Sequence, residues 1–252
     1  MRRADRLGRI LDGLAGNGAV SVTDIAADLE VSPATIRRDL QLLESQRLLA
    51  RTHGGAVAQG VLYELPLRYK IARYQHEKVL IAREAASRVG DGASVGLTGG
   101  TTTTEVARAL AERHQLTVVT NALNIASELA VRPNLKLVVT GGVARDKSYE
   151  LVGPLAEQSL AGLNLDVVFI GADGVDPSAG LTTHHAMEAH TDRALIERAQ
   201  RVIAVADSSK VGRVAFARIC ELERVDEMIT DGGGDPGLLE ELARTGVEIT
   251  VV

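Results

Sequence analysis

The chain has 252 residues, 45% of them hydrophobic, one cysteine and a formal net charge of −5. That length suits one small and one medium domain; the lone Cys220 excludes an internal disulfide and a cysteine metal cluster, and fits a reduced, cytoplasmic compartment. With no run of 18 apolar residues, and no apolar core after Met1-Arg2-Arg3-Ala4-Asp5-Arg6, neither a membrane span nor a secretory signal is expected.

Leu7, Ile10, Leu11 and Leu14 recur at helical spacing, and Gly16-Asn17-Gly18 ends the pattern. Val22, Ile25, Ala26 and Leu29 predict a second, short helix with Ser21 or Thr23 as its cap. Glu30-Val31 is a tight connection to a third helix. There Ser32 is a capping residue and Pro33 takes the first helical position, where a missing N–H costs nothing. Ile36, Leu40 and Leu43 form its apolar stripe, leaving Ala34, Arg37, Arg38 and Gln41 on the opposite face. Forked guanidinium groups and an amide suit a helix that reads base edges in a DNA major groove. Two adjacent Arg taken alone read as a solvated face; the helix, short helix, turn, helix spacing around them argues for a helix-turn-helix unit. Two short apolar runs between Arg47 and Val57 then flank a polar, glycine-containing turn and predict a hairpin, or wing. Arg51, Thr52, His53 and the backbone near Gly54 and Gly55 are its candidates for phosphate or minor-groove contact.

Charge restricts how such a unit binds. Residues 1–58 carry eight Arg against seven Asp and Glu, a net +1. A diffusely basic domain is excluded, and contact must come from a local patch of Arg2, Arg3, Arg6, Arg37, Arg38 and Arg51. The remaining −6 repels DNA, which favours a dimer or larger homo-oligomer that multiplies a modest contact set.

The N-terminal pattern resembles the winged helix-turn-helix of DeoR-type bacterial transcriptional repressors. The residues that carry the resemblance are Arg9-Ile10-Leu11, the run from Val31 through Ser32, Thr35, Arg37 and Arg38 to Leu40, and Leu48-Leu49-Ala50-Arg51-Thr52-His53-Gly54-Gly55-Ala56. The pairing of Thr-Ile-Arg-Arg-Asp-Leu with His-Gly-Gly is far more specific than a generic helix-turn-helix pattern. It implies double-stranded operator DNA as a partner.

Residues 59–74 break the periodicity and are expected to be a junction between a DNA-binding domain at 1–58 and a second domain at 75–252. Gly60 and Pro66 interrupt it, while Tyr63, Leu65, Leu67, Tyr69 and Tyr74 are available to pack against either side. A helix is predicted over Gln75–Val89. Strands and helices then alternate: strands at 93–97, 116–120, 135–139, 166–170, 201–206, 227–230 and 247–251, and helices at 105–112, 122–130, after Gly153-Pro154, at 187–199 and after Asp235-Pro236. Continuous Val/Ile/Leu strands between helices predict an α/β domain, a doubly wound and mainly parallel sheet covered on both faces.

In such sheets ligands bind outside the carboxyl ends of the strands. The polar segments expected there are Gly99 to Thr104, Thr120-Asn121, Gly141-Gly142, Gly171-Ala172-Asp173-Gly174 and Asp207 to Lys210. Gly99 and Gly100 allow close backbone approach, and Thr101, Thr102, Thr103 and Thr104 offer hydroxyls ahead of a helix N-terminus, a natural anion site. Lys210 adds a full positive charge. Each loop alone reads as an ordinary turn; their shared placement predicts one pocket. Gly99-Gly100-Thr101-Thr102, Val118 to Asn121, Gly141-Gly142, Gly171 to Val175, Gly180-Leu181-Thr182 and Ala206 to Lys210 also resemble the effector domain of the same family, which is similar to the ribose-5-phosphate isomerase and glucosamine-6-phosphate deaminase folds. The resemblance implies a phosphorylated sugar or polyol effector that changes operator affinity. Residues 183–193 depart from it: Asp192 stands near a position where many members carry a basic residue, and His184, His185 and His190 are present. His185 and His190 are five apart, off the helical ligand spacing, so no metal is expected, nor any cofactor. A different reading is a sugar-phosphate isomerase or deaminase with an accessory DNA-binding domain, with Asp173, Glu188 or Lys210 as acid–base groups.

Overall fold

The computed structural model describes residues 3–46, 48–57 and 64–252, so Arg2, Arg47, Gly60 and Tyr63 lie outside the described residues. The chain divides into two compact units, Met1–Arg73 and Tyr74–Val252.

The first unit comprises α1 (Arg3–Asn17), β1 (Ala19–Ser21), α2 (Val22–Asp28), α3 (Pro33–Ser45), β2 (Ala50–Arg51), β3 (Gly55–Val57) and α4 (Leu67–Lys70). Its core joins the α1 stripe Leu7, Ile10, Leu11 and Leu14 to Ile36, Leu40, Leu43 and Leu49. The predicted hairpin is present, and β1 adds to it as a third strand, in the antiparallel order β1-β3-β2. Three residues are too few for an alternation pattern, so β1 leaves no trace in the sequence. Gly55 is required where the wing meets β1: a Cβ there would lie 1.8 Å from the Val20 carbonyl oxygen. Residues 64–73 of the expected junction fall within the first compact unit. Leu65 and Tyr69 are buried in that unit's core, and the Tyr69 hydroxyl donates to Gln46 Oε1 at 2.6 Å.

The second unit begins with α5 (Gln75–Ser87). It continues through β4 (Ser94–Leu97), α6 (Thr101–Leu110), β5 (Thr117–Thr120), α7 (Leu123–Leu129), β6 (Lys136–Val139), β7 (Val143–Ala144), β8 (Leu151–Val152), α8 (Pro154–Leu160) and β9 (Leu165–Ile170). Then come β10 (Gly174–Asp176), β11 (Gly180–Thr183), α9 (Ala186–Ile196), β12 (Ala199–Val205), β13 (Ala217–Cys220), β14 (Glu227–Thr230), α10 (Pro236–Arg244) and β15 (Glu248–Val251). Seven strands form a sheet in the order β15-β14-β12-β9-β4-β5-β6, with every pairing parallel. Successive residues of a strand serve opposite layers. Val167, Phe169, Ile203 and Val205 enter one core, while Val168, Ile170, Val202 and Ala204 enter the other. The sheet is therefore covered on both faces, the α/β architecture expected.

Two differences matter. The helix expected over 187–199 ends at Ile196, because Ala199 opens β12 in register with Leu165 of β9. Segments expected as loops form two antiparallel ribbons, β7-β8 and β10-β11-β13. Their strands are two to four residues long, and tertiary pairing rather than periodicity defines them.

Candidate functional site

Each unit carries one candidate site. In the first, Ser32 Oγ accepts from the Thr35 N–H at 3.2 Å and lies 2.9 Å from Thr35 Oγ1, which fixes the start of α3. Burial of Ile36, Leu40 and Leu43 then leaves Ala34, Arg37, Arg38 and Gln41 exposed, with Thr35 half-buried. Arg37 and Arg38 make no ion pair or side-chain hydrogen bond among the described residues. Asp39 follows them in sequence but turns inward, where it is buried and accepts from Arg6 Nε at 2.5 Å, with Arg3 Nε at 3.4 Å. That pairing corrects the basic patch. Arg6, whose guanidinium is held charged by its hydrogen bond to Asp39, is a structural partner of α3 rather than an open cation. On the wing, Arg51 Nη1 stands 3.9 Å from Glu44 Oε2, and His53 and Gly54 are exposed at the turn.

The second site lies at the carboxyl edge of the parallel sheet. The chain winds one way through β4, β5 and β6 and the other way through β9, β12, β14 and β15, so the order reverses between β4 and β9. Such a reversal opens a crevice. Its lips are Gly99 and Gly171: a Cβ at 171 would lie 3.0 Å from the Gly99 carbonyl oxygen. Gly100 has φ +126° and no side chain caps the α6 N-terminus, whereas Ser32, His185 and Asp235 cap α3, α9 and α10. The threonines behave differently from the expectation. Thr103 and Thr104 donate their hydroxyls to the Gly100 carbonyl at 3.1 and 2.6 Å. Two of the four hydroxyls are thus spent on the loop's own backbone.

Side chains not anticipated as a group line the crevice. An isolated antiparallel bridge between Ala122 and Glu150, with the Leu151 N–H on the Asn121 carbonyl at 2.7 Å, holds Glu150 against the end of β5. Asn121 Nδ2 donates to Glu150 Oε2 at 3.4 Å. Glu188 of α9 pairs with Arg145 and accepts from Thr183 Oγ1 at 3.0 Å. The same hydroxyl lies 3.3 Å from Asp173 Oδ2, and Lys210 Nζ stands 3.9 Å from Asp173 Oδ1. Asp192 lies one turn beyond Glu188 and is buried. Burial pushes the carboxyls of Glu150 and Asp192 well above the ordinary range. The charges of Asp192, Glu188 and Asp173 add to this at Glu150, with Arg145 opposing; Glu188 and Asp173 add to it at Asp192, with Asn121 opposing.

Gly99, Asn121, Asp173 and Lys210 are thus brought together with Glu150, Glu188 and Asp192. Gly141 and Gly142 are not: the Gly141 N–H donates to Ser159 Oγ at 3.1 Å, and Gly142 packs on the Val152 backbone. Sequence reasoning missed Glu150, Arg145 and Thr183. The one available signal was a lone acidic residue before Leu151-Val152. His185 caps α9, its Nδ1 accepting from the Met187 N–H at 3.2 Å. Cys220 is buried and its thiol is pushed up to about 12, chiefly by burial, so it stays protonated. Among the described residues no helix is long and apolar enough to cross a membrane.

Two domain families match the chain: the DeoR-like helix-turn-helix domain over residues 6–60 and the DeoR C-terminal sensor domain over residues 73–232. The HTH-type transcriptional regulator GlpR of Haloferax volcanii is 37% identical over 250 residues, covering 99% of this chain and 98% of that protein. The HTH-type transcriptional repressor GlcR of Bacillus subtilis is 33% identical, covering 100% and 97%. The glycerol-3-phosphate regulon repressor of Escherichia coli is 31% identical, covering 99% of each. Among solved structures, ribose 5-phosphate isomerase A of Methanocaldococcus jannaschii aligns at a TM-score of 0.41 with 21% identity over 54% of each chain. The close relatives are transcriptional regulators rather than enzymes, both domains of the family are present in the expected order, and this chain is a member of the DeoR family of DNA-binding transcriptional regulators.

Proposed function

We propose that the protein represses a carbohydrate-metabolism operon and that a phosphorylated sugar or polyol, bound at the strand-end crevice, sets its affinity for operator DNA. The observation that carries the DNA half is the outer face of α3, where Arg37 and Arg38 are exposed beside Ala34 and Gln41 and make no side-chain hydrogen bond or ion pair among the described residues. On this reading those residues face the major groove, Ser32 and Thr35 meet the backbone at the helix start, and Arg51, His53 and Gly54 meet phosphates from the wing. One recognition helix per chain and a near-neutral DNA-binding unit favour a homo-oligomer, dimer or tetramer, placing two such helices on paired half-sites.

The effector half is supported by the crevice between β4 and β9. The uncapped N-terminus of α6 after Gly99-Gly100 is the phosphate position, with the backbone N–H groups of Thr101, Thr102 and Thr103 as donors. Asn121, Asp173 and Lys210 face the sugar, and Gly141 and Gly142 shape the neighbouring turn. Binding acts by favouring one conformational state over another, since a ligand shifts an equilibrium only by its differential affinity. Mobility-shift assays with the DNA upstream of the protein's own gene, with and without a panel of sugar phosphates, test both halves. A retarded band that a sugar phosphate removes or strengthens is expected. In Lys210→Ala the band should persist and the response should vanish; a normal response in that variant overturns the role of Lys210.

A further inference from the structure

The crevice holds two carboxyl groups that phosphate recognition does not use. Of its four acids, Glu188 has Arg145 and Asp173 has Lys210. Glu150 and Asp192 form no ion pair among the described residues, yet both are more than nine-tenths buried. Beside them, two buried acceptor atoms have no donor among the described residues: Asp192 Oδ1 and Asn121 Oδ1. Asn121 is itself fully buried and ties the two acids together, donating from Nδ2 to Glu150 and favouring the charged form of Asp192. Buried unsatisfied groups in a binding cleft mark where a ligand supplies the missing partner.

We propose that this corner is an amine subsite, and that the effector is a phosphorylated amino sugar whose primary ammonium is held by Asp192, Glu150 and Asn121. The proposal rests on the sugar-phosphate reading above and adds to it the chemistry of the opposite end of the ligand. The unmet atoms are acceptors, so the ligand must bring donors. A phosphate brings none at neutral pH, and a hydroxyl brings one proton without charge. An ammonium brings three donors and the positive charge that the two unpaired carboxylates lack. A divalent cation is the other way to neutralise such acids, but no group of three or more His, Cys, Asp or Glu suited to a metal ion occurs among the described residues. Burial, and the charges of neighbouring carboxylates, raise the affinity of both acids for protons. An ammonium, with its single positive charge, would displace one of those protons and leave one charged carboxylate facing it.

The test is calorimetric titration of the full-length protein with matched pairs: glucosamine 6-phosphate against glucose 6-phosphate, and galactosamine 6-phosphate against galactose 6-phosphate. The N-acetylated forms and inorganic phosphate complete the panel. At least one amine is expected to bind ten-fold or more tightly than both its hydroxyl and its N-acetyl counterpart. That preference should be lost in Asp192→Asn and reduced in Glu150→Gln, with thermal melts of the unliganded variants confirming that they fold. Equal or tighter binding of the hydroxyl or acetylated sugar in every pair overturns the amine subsite and leaves the sugar-phosphate reading standing. An amine preference that survives both substitutions overturns the assignment of these residues. Absence of binding by any sugar phosphate, in protein that still retards operator DNA, overturns the subsite and the effector reading together.

Discussion

The carboxyl group of Glu150 lies directly over the Cα of Gly99, so close that a Cβ at position 99 would fall 2.1 Å from Glu150 Oε1 and 2.4 Å from its Cγ. The whole acidic side chain, not only its flexible tip, occupies the space a methyl group would need. This is why the loop needs glycine there. Gly99→Ala must displace Glu150 from Asn121 and open the carboxyl cluster. We expect a stability loss of about 1–3 kcal/mol, the usual cost of overpacking, and loss of the sugar-phosphate response. A thermal melt with and without ligand measures both; a variant with native melting and native ligand shift contradicts the placement of Glu150.

Arg37 and Arg38 separate function from folding. Both are exposed and make no side-chain hydrogen bond or ion pair among the described residues, so Arg38→Ala should weaken operator binding by about 1–3 kcal/mol if it makes a bidentate base contact while leaving the melting temperature within error. Asp39 behaves oppositely. Asp39→Ala strands the guanidinium of Arg6 and should destabilise the first unit, towards the lower end of the roughly 3–5 kcal/mol seen when one partner of a buried pair is removed. Fluorescence anisotropy with labelled operator, run beside differential scanning calorimetry, distinguishes the two cases.

The wing has its own steric test. A side chain at Gly55 would meet the Val20 carbonyl at 1.8 Å, and backbone cannot move aside as a side chain can. Gly55→Ala is therefore expected to detach β3 from β1 and reduce DNA binding more than the neighbouring Gly54→Ala, where a Cβ meets open space. Equal effects from the two substitutions would contradict the three-stranded wing.

The pH dependence of stability has two components of opposite sign. Glu150 and Asp192 have carboxyls raised by burial and like charge. Their contribution is fully present below the unfolded carboxylate value of about 4 and is lost as pH rises through the higher folded values. Glu150→Gln and Asp192→Asn should consequently retain more of their stability than the native protein as pH rises above the unfolded carboxylate value, flattening the melting profile. A profile as steep as the native one in both variants would refute this.

At Glu227 burial alone would push the carboxyl up, but hydrogen bonds from Arg88 and Thr250 and the charges of Arg88 and Arg201 outweigh it and hold the value down. Here the stabilisation is present above the unfolded value and is lost as pH falls through the folded one. Arg88 Nη2 and Arg201 Nη2 approach its two oxygens at 2.7 and 2.8 Å. Glu227→Ala should therefore cost about 3–5 kcal/mol at neutral pH, and less in acid. Urea unfolding at pH 7 and pH 3 reads the difference.

The sequence by itself determined the helix-turn-helix, the wing hairpin, the parallel α/β sheet and the family. Each of these is written in contiguous residues: Ser32-Pro33 as a start, a 3.6-residue stripe from Ile36 to Leu43, runs of Val and Ile at strand spacing. The glycine loop at 99–100 and the residues Asn121, Asp173 and Lys210 were legible for the same reason, because strand ends in a parallel sheet share one edge. The tertiary structure alone decided the rest. Glu150, Asp173, Glu188 and Asp192 are scattered over forty-three positions and become one buried cluster only through the β7-β8 ribbon, the order reversal between β4 and β9 and the seating of α9. Asp39 follows two exposed arginines in sequence, yet the packing of α3 buries it against Arg6. Local periodicity reports which face of an element is apolar; it carries no information about which distant charge a buried carboxyl will meet. That meeting is set by pairings between segments remote in sequence, and it determines what the crevice can hold.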